Sequence, residues 1–339
     1  MKSNFRVLGA GVWGLAFSDY LLELGHNVDV FSRDTSLSNK NLNGIPLSNF
    51  SNIKIKPLDT LQDYKASDAI NIIAVNSQGF DELLSDYINY FDGINELASL
   101  TKGIDHKSGL LLHERVEDIL GKDIKYGLIS GPSFAKDLSD RKKMVVSIAS
   151  FDDHLANKFV QTTKSSFFEM IPTSHLYHIE IAGIIKNIAA ILCGMADSYF
   201  DKGSYTNKII KKACDETWRM SYDKVDSLTE LGSIDQNYLK QLDNEKEKII
   251  TSPGYIGDMI LTCKQKQSRN YQFGNLISQS DVSIDKVNSE IGTVEGYNCC
   301  ISLVENSYLQ QGELTNLLYN LIKSSSGERE KMLKSFLQA

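Results

Sequence analysis

Lys186 stands in an otherwise apolar stretch, Ile181-Ala182-Gly183-Ile184-Ile185-Lys186-Asn187-Ile188-Ala189-Ala190-Ile191. Its isoleucines recur at helical spacing and form an apolar stripe. Ala182, Gly183, Ala189 and Ala190 are its three- and four-residue neighbours and share its face. Small residues around a cation leave either close helix packing or a hole that a ligand fills. A lysine at such a hole can exchange a proton with substrate; a lysine on a packed helix snorkels toward water. Asp258 and Thr262 are four apart, hence on one helical face. Arg269 and Asn270 follow closely. A guanidinium can grip a phosphate with two donors, and the plainer reading is a surface cap or ion pair. Lys102 follows a short apolar run, Leu97 to Thr101, in Thr101-Lys102-Gly103, where a solvated loop lysine is the plainer reading.

These residues need a frame. Phe5-Arg6-Val7-Leu8 enters Gly9-Ala10-Gly11-Val12-Trp13-Gly14, and an amphipathic stretch runs on to Leu24. A second β-rich run, Val28-Asp29-Val30-Phe31, follows. In a strand–turn–helix–strand unit the first glycine permits the tight turn. The second lets backbone approach a pyrophosphate, and the third lets helix and strand pack closely. The phosphates then face free N–H groups at a helix N-terminus.

The first half alternates strand-like and helix-like segments, which predicts a parallel sheet with helices on both faces. Strands are expected at 68–75, 97–101, 125–130, 144–149 and 167–171, and helices at 77–91, 109–120 and 152–164; residues 33–60 read as irregular connection. Beyond Pro172 strand signals vanish. Helices are expected at 179–198, 207–223, 235–249, 255–265, 270–278, 297–310 and 313–324, and the last fifteen residues are expected to fray. The division is thus an α/β dinucleotide-binding domain, 1–174, and an all-α domain, 175–339. Strand ends in such a sheet face the ligand. They lead here into Asn76-Ser77-Gln78, Thr101-Lys102-Gly103 and Gly131-Pro132-Ser133-Phe134-Ala135. Ordinary N-cap chemistry at Ser77 and Ser133 is the bland alternative.

A chain of 339 residues with 42% hydrophobic and 23% charged residues has a globular composition. A net charge of −7 argues against a nonspecific nucleic-acid binder. The five cysteines are odd in number and lack C-x-x-C spacing, which suggests neither a zinc site nor a disulfide framework but reduced cytoplasmic thiols. No metal site is expected. Ile179 to Ala196 holds Glu180, Lys186 and Asn187, too polar and short for a transmembrane segment. The glycine-rich N-terminus has no cleavage pattern and reads as fold rather than a targeting signal.

Several blocks then fall into one ordered set: Gly-Ala-Gly-Val-Trp-Gly (9–14), Ala-Val-Asn-Ser-Gln (74–78), Thr-Lys-Gly-Ile (101–104) and Ser-Gly-Pro-Ser-Phe-Ala-Lys (130–136). It continues with Ile-Lys-Asn (185–187), Gly-Asp-Met-Ile-Leu-Thr-Cys (257–263), Ser-Arg-Asn (268–270) and Val-Glu-Gly (294–296). The set resembles the soluble, bacterial-type NAD(P)-dependent glycerol-3-phosphate dehydrogenases. The resemblance implies a Rossmann-type domain followed by a helical domain like that of 6-phosphogluconate dehydrogenase. It implies reversible reduction of dihydroxyacetone phosphate to sn-glycerol 3-phosphate for glycerophospholipid synthesis, by a cytoplasmic homodimer. Lys186 matches the proton-transferring lysine, Lys102 a second active-site lysine and Asp258 the active-site aspartate. Substrate positions fall on Lys102, Gly131, Ser133, Asn187, Asp258, Thr262, Ser268, Arg269 and Asn270. Cofactor positions fall on Gly9, Gly11, Val12, Trp13, Gly14, Arg33, Lys102, Ala135, Arg269 and Glu295.

The end of the second strand reads Phe31-Ser32-Arg33, without the usual NAD-selecting carboxylate. Arg33 there favours NADP(H), with NAD(H) admitted. Residues 199–250 depart from the family pattern, and Pro253 and Tyr255 alter the approach to Asp258. That keeps open a dehydrogenase for another phosphorylated ketone. A nucleotide sensor without turnover is the third reading, and the intact lysines and Asp258 oppose it.

Overall fold

The computed structural model describes residues 2–38, 40, 42, 44–279 and 283–339. They form two compact units, Met1–Asp105 with Leu111–Leu176, and His106–Leu110 with Tyr177–Ala339.

The first unit is built on eight strands among the described residues: β1 (Asn4–Leu8), β2 (Asn27–Ser32), β3 (Ile55–Pro57), β4 (Ile70–Ile73), β5 (Glu96–Ser99), β6 (Lys125–Ser130), β7 (Met144–Ala149) and β8 (Phe168–Thr173). Their order is β3-β2-β1-β4-β5-β6-β7-β8. Helices α1 (Val12–Glu23), α2 (Gln78–Asp86), α3 (Leu112–Leu120), α4 (Ala135–Ser139) and α5 (Asp153–Thr163) connect them. Val7, Leu8, Ile72 and Ile73 are buried, as central strands covered on both faces require. Strand order reverses at β1, which pairs with both β2 and β4, and ligands of such sheets bind at that switch point.

Two features differ from the sequence expectation. β7 runs antiparallel to β6, while β7 and β8 are parallel to each other. The link from β6 holds only the five-residue α4, which spans about 7.5 Å; a six-residue strand is roughly 20 Å long. The chain therefore turns back rather than crossing over. Residues 33–60, read as irregular, contain a 3₁₀ turn at Leu47–Phe50 and the short edge strand β3; residues 39, 41 and 43 of that stretch lie outside the described residues.

The second unit holds α6 (Leu176–Tyr199), α7 (Thr206–Glu230), α8 (Gln236–Ile250), α9 (Asp258–Lys264), α10 (Arg269–Ile277), α11 (Ile284–Ile291), α12 (Glu295–Asn306), α13 (Glu313–Lys323) and α14 (Ser326–Gln338). Among the described residues α6 alone is long and apolar enough to cross a membrane, and its apolar window is wholly buried inside the protein. It is a core spine. Glycines on both sides of its contacts admit neighbouring backbones: a Cβ at Gly194 of α6 would lie 2.0 Å from the Tyr271 carbonyl oxygen, one at Gly274 of α10 would lie 2.0 Å from the Ile191 carbonyl oxygen, and one at Gly296 of α12 would lie 2.5 Å from that of Asn187. The segment 106–110 closes this unit from afar. The His106 carbonyl accepts from Ser302 Oγ and Asn306 Nδ2, each at 3.2 Å.

The C-terminus does not fray as expected. Ser325 and Glu328 form a capping box, and Arg329, Leu333 and Leu337 bury one face of α14. Arg329 donates to the carbonyls of Ile277 at 2.6 Å and Leu321 at 2.9 Å, near the C-terminal ends of α10 and α13. A cation there suits the negative pole of each helix. α11 was not anticipated; it is short and follows residues outside the described set.

Glu216 of α7 performs the opposite service. Its buried carboxylate accepts from Leu314 N at 2.6 Å, Thr315 N at 3.2 Å and Thr315 Oγ1 at 2.7 Å, at the N-terminus of α13. Burial outweighs these bonds and raises its pKa above the usual 4.5. A raised carboxyl pKa favours the folded state below 4.5, and that contribution is lost as pH rises through the folded value. Glu216→Gln is therefore expected to remove a fall in stability with rising pH in the window just above 4.5, read as urea midpoints of wild type and variant. Identical slopes would contradict it.

Candidate active site

Each unit carries candidate site residues of its own. In the first, the backbone of Gly9 adopts φ +123°, and a Cβ there would lie 2.6 Å from the Ala74 carbonyl oxygen. The β1–β4 register, Leu8 opposite Ile73, causes this approach. A Cβ at Gly14 would lie 2.3 Å from the Gly9 carbonyl oxygen, so α1 starts tight against the turn. Gly11 is different: the nearest atom to a Cβ there is 3.9 Å away. No side chain caps α1. Open space over uncapped N–H groups, beginning at Val12, is what a pyrophosphate needs, so these residues fit a dinucleotide.

A cavity of about 140 Å³ lies beside the turn, lined by Gly9, Phe31, Arg33, Val75 and four α2-region side chains, among them Glu82 and Tyr87. The sequence reading found Arg33 but not Glu82 or Asp86. Their spacing of four on α2 was the available signal, and solvated helix faces carry the same pattern.

The strand ends are tied together. Lys102 Nζ and Ser133 Oγ both donate to the Gly131 carbonyl, at 3.5 and 3.0 Å, and Trp13 Nε1 donates to the Ser133 carbonyl at 3.2 Å. Thr101 Oγ1 donates to the Val75 carbonyl at 2.8 Å. Gly131 is required by its neighbour, since a Cβ there would meet Val146 at 2.8 Å. Ser133 does not cap α4, whose cap residue is Phe134, and Ala135 opens that helix, buried. On α2, Asn76 Oδ1 accepts from Gly79 N at 2.9 Å, and the Ser77 hydroxyl makes no cap bond.

In the second unit Lys186 and Asp258, 72 residues apart, form an ion pair of 2.8 Å. Their side chains are only 10% and 4% exposed, so the pair is shielded from solvent and salt. Lys186 Nζ also donates to Thr262 Oγ1 at 3.2 Å. Thr262 in turn donates to the Asp258 carbonyl at 2.7 Å. The expected common face of Asp258 and Thr262 is real, and it faces Lys186. Helix α9 starts later than expected because Pro253–Gly257 forms a π-helical turn leading to Asp258; such turns often mark functional sites. Tyr255 within it donates to the Cys214 carbonyl at 2.7 Å, and burial pushes its hydroxyl pKa up, so it is a fixed donor.

Arg269 and Asn270 have different surroundings. Arg269 is exposed at the start of α10, next to the cap residue Ser268. Asn270 is buried, donates to Asn187 Oδ1 at 2.9 Å and accepts from Gly296 N at 2.9 Å. It locks α6, α10 and the start of α12 together and positions the helix that carries Lys186. Glu295 opens α12, half-buried. All five cysteines are free and buried. Burial raises the Cys214 thiol pKa to about 11, which makes it an inert thiol.

Both stretches of the chain are similar to known proteins. The family description "NAD-dependent glycerol-3-phosphate dehydrogenase N-terminus" matches residues 4–156, and its C-terminal counterpart matches residues 176–330. A glycerol-3-phosphate dehydrogenase [NAD(P)+] of Hydrogenovibrio crunogenus is 28% identical over 338 residues, covering 95% of this chain and 92% of that protein. One from Francisella tularensis subsp. novicida is 29% identical, covering 88% and 85%. The crystal structure of glycerol-3-phosphate dehydrogenase from Coxiella burnetii has a TM-score of 0.82 at 23% identity, covering 100% of this chain and 99% of that one.

Proposed function

The chain belongs to the NAD-dependent glycerol-3-phosphate dehydrogenase family, and from that premise we propose that it reversibly reduces dihydroxyacetone phosphate to sn-glycerol 3-phosphate, with Lys186 exchanging the proton. It is an oxidoreductase acting on a CH–OH group with NAD or NADP. The observation that carries the residue assignment is the buried Lys186–Asp258–Thr262 triad.

A bound nicotinamide supplies the hydride. As the ketone carbon is reduced, negative charge grows on its oxygen. Lys186 as ammonium stabilises that charge and delivers the proton; in the reverse direction its amine removes it. Asp258 and Thr262 hold Nζ in place. A fixed donor aimed at developing charge is usually the largest catalytic contribution. The motif Thr101-Lys102-Gly103-Ile104 supports Lys102 as a second cation for the substrate, with Gly131 and Ser133 beside it. Arg269, with Ser268 before it, takes the substrate phosphate; Asn187, Asn270 and Thr262 shape the pocket around Lys186.

Gly9 to Gly14 hold the pyrophosphate, and Trp13, Ala135, Lys102, Arg269 and Glu295 complete the cofactor positions by resemblance. Arg33 in the cavity lining supports NADP(H) as the favoured form, with NAD(H) also used. By family resemblance the enzyme is a homodimer whose product feeds glycerophospholipid synthesis, and its free thiols suit the cytoplasm.

The test follows NADPH oxidation by the purified chain with dihydroxyacetone phosphate, with NADH in parallel. Fast oxidation is expected. Bound cofactor without oxidation of any phosphorylated ketone would replace this reading with a nucleotide sensor. Arg269→Ala is expected to raise the KM for dihydroxyacetone phosphate at least tenfold, an ionic hydrogen-bonded contact being worth about 1.5–3 kcal/mol, while kcat changes less. An equal loss with unphosphorylated dihydroxyacetone would remove Arg269 from the phosphate.

A further inference from the structure

We propose that Glu82 sets the cofactor choice of this chain by competing with the 2′-phosphate of NADPH for the Arg33 guanidinium. The inference rests on the cofactor reading above and assigns a residue to it that the ordered motifs do not contain.

Arg33 Nη2 pairs with Glu82 Oε2 at 3.1 Å. Both residues line the same cavity, as do Asp86 and Tyr87. The guanidinium lies over the first turn of α2, 3.5 Å from where a Cβ on Gly79 would stand. The charged lining of the cavity is thus one arginine against two carboxylates, a net −1. The next cation along the loop is also engaged: Lys40 Nζ pairs with Asp34 Oδ2 at 3.3 Å and donates to the Asp34 carbonyl at 2.9 Å. The Ser36 backbone N–H holds the Asp34 carboxyl below its usual pKa, so it stays ionised beside that lysine. Arg33, the cation in the cavity lining, already carries a carboxylate.

The consequence differs for the two cofactors. NADH has a free 2′-hydroxyl and leaves the Arg33–Glu82 pair intact. NADPH brings an additional phosphate, which must take Arg33 from Glu82 and then sit near both Glu82 and Asp86. The competition is mild because the pair is open to water, with side chains 70% and 53% exposed; exposed pairs are worth little. A mild competitor suits a site that accepts both cofactors.

The experiment measures binding rather than turnover, using the full chain. NADPH and NADH are titrated by fluorescence, and adenosine 2′,5′-bisphosphate and 5′-AMP by calorimetry, against wild type, Glu82→Gln, Arg33→Met and the double variant. Glu82→Gln is expected to lower the Kd for NADPH and adenosine 2′,5′-bisphosphate roughly three- to tenfold, the order of one exposed ion pair plus one removed repulsion. NADH and 5′-AMP should move less than twofold. Arg33→Met should raise the NADPH Kd about tenfold or more, and adding Glu82→Gln to it should then give no gain. Equal shifts for both cofactors, weaker NADH with unchanged NADPH, or a persistent Glu82→Gln gain without Arg33 would each overturn the proposal. So would a chain that binds neither nucleotide. These binding outcomes do not depend on the substrate: a chain that discriminates as described yet fails to reduce dihydroxyacetone phosphate overturns the substrate reading alone.

Discussion

Lys186→Ala is expected to lower kcat by about 10²–10⁴, the usual contribution of one positioned acid–base group, while NAD(P)H still binds. Two effects must be separated. The first is loss of the proton donor. The second is structural, because the substitution leaves Asp258 as a buried carboxylate without its cation, and breaking a buried pair on one side is strongly destabilising. Melting curves of the variant with and without NADPH separate them. A folded variant whose melting temperature still rises with NADPH but whose turnover is lost supports the chemical role. Partial recovery of the rate by a small primary amine would place the missing proton donor at this spot. Turnover within threefold of wild type would remove Lys186 from the chemistry.

Gly274→Ala is expected to destabilise the second unit strongly. The new Cβ would stand 2.0 Å from the Ile191 carbonyl oxygen, which belongs to the backbone of α6. No rotamer change relieves that contact, so α10 must move away from the spine. Overpacking of this kind costs typically 1–3 kcal/mol and sometimes more. For a body of this size each kcal/mol is worth about 2–4 °C, so a drop of roughly 2–12 °C is expected by calorimetry. Because Asn270 and Arg269 ride on α10, the KM for substrate should rise in the same variant. A melting temperature within 2 °C of wild type would mean that α10 has freedom the packing does not display.

Much of this was readable from residues. The glycine turn declared itself by its spacing between strand and helix, although only Gly14 answers to a near neighbour, Gly9, while Gly9 answers to Ala74 across the sheet. The lysine helix declared itself by its stripe and its small face. The structure shows close packing along α6, at Asn187 and Ile191, and a polar partner, Asp258, for Lys186. Periodicity and spacing did not show the pairing of Lys186 with Asp258, which depends on where α6 and α9 pack, 72 residues apart; only the family resemblance put the two in one site. Asn270 was drawn toward the substrate by its place beside Arg269, yet α10 turns the two side chains to different surroundings. Glu82 was invisible for the reason that makes it interesting: a carboxylate on an exposed helix looks like solvation until a guanidinium 49 residues away is found on it. Short elements were lost for want of periodicity, β3 with three residues and α11 with eight. The C-terminal fifteen residues looked merely charged, although Arg329, Leu333 and Leu337 already carried a four-residue period.

The segment 106–110 gives the second unit an unusual biography. It emerges from the ribosome 196 and 200 residues before Ser302 and Asn306, the side chains that bind its His106 carbonyl. The N-terminal sheet can begin to fold during that wait, but residues 106–110 have no α12 to bind until it is made. Closing so long a loop adds entropy cost and slows the last contacts. The two stretches that match the family, 4–156 and 176–330, are therefore adjacent in the gene without being separable parts. A helical half transplanted onto another nucleotide-binding half would arrive without residues 106–110, so recombination at the seam near residue 176 must carry that strap along.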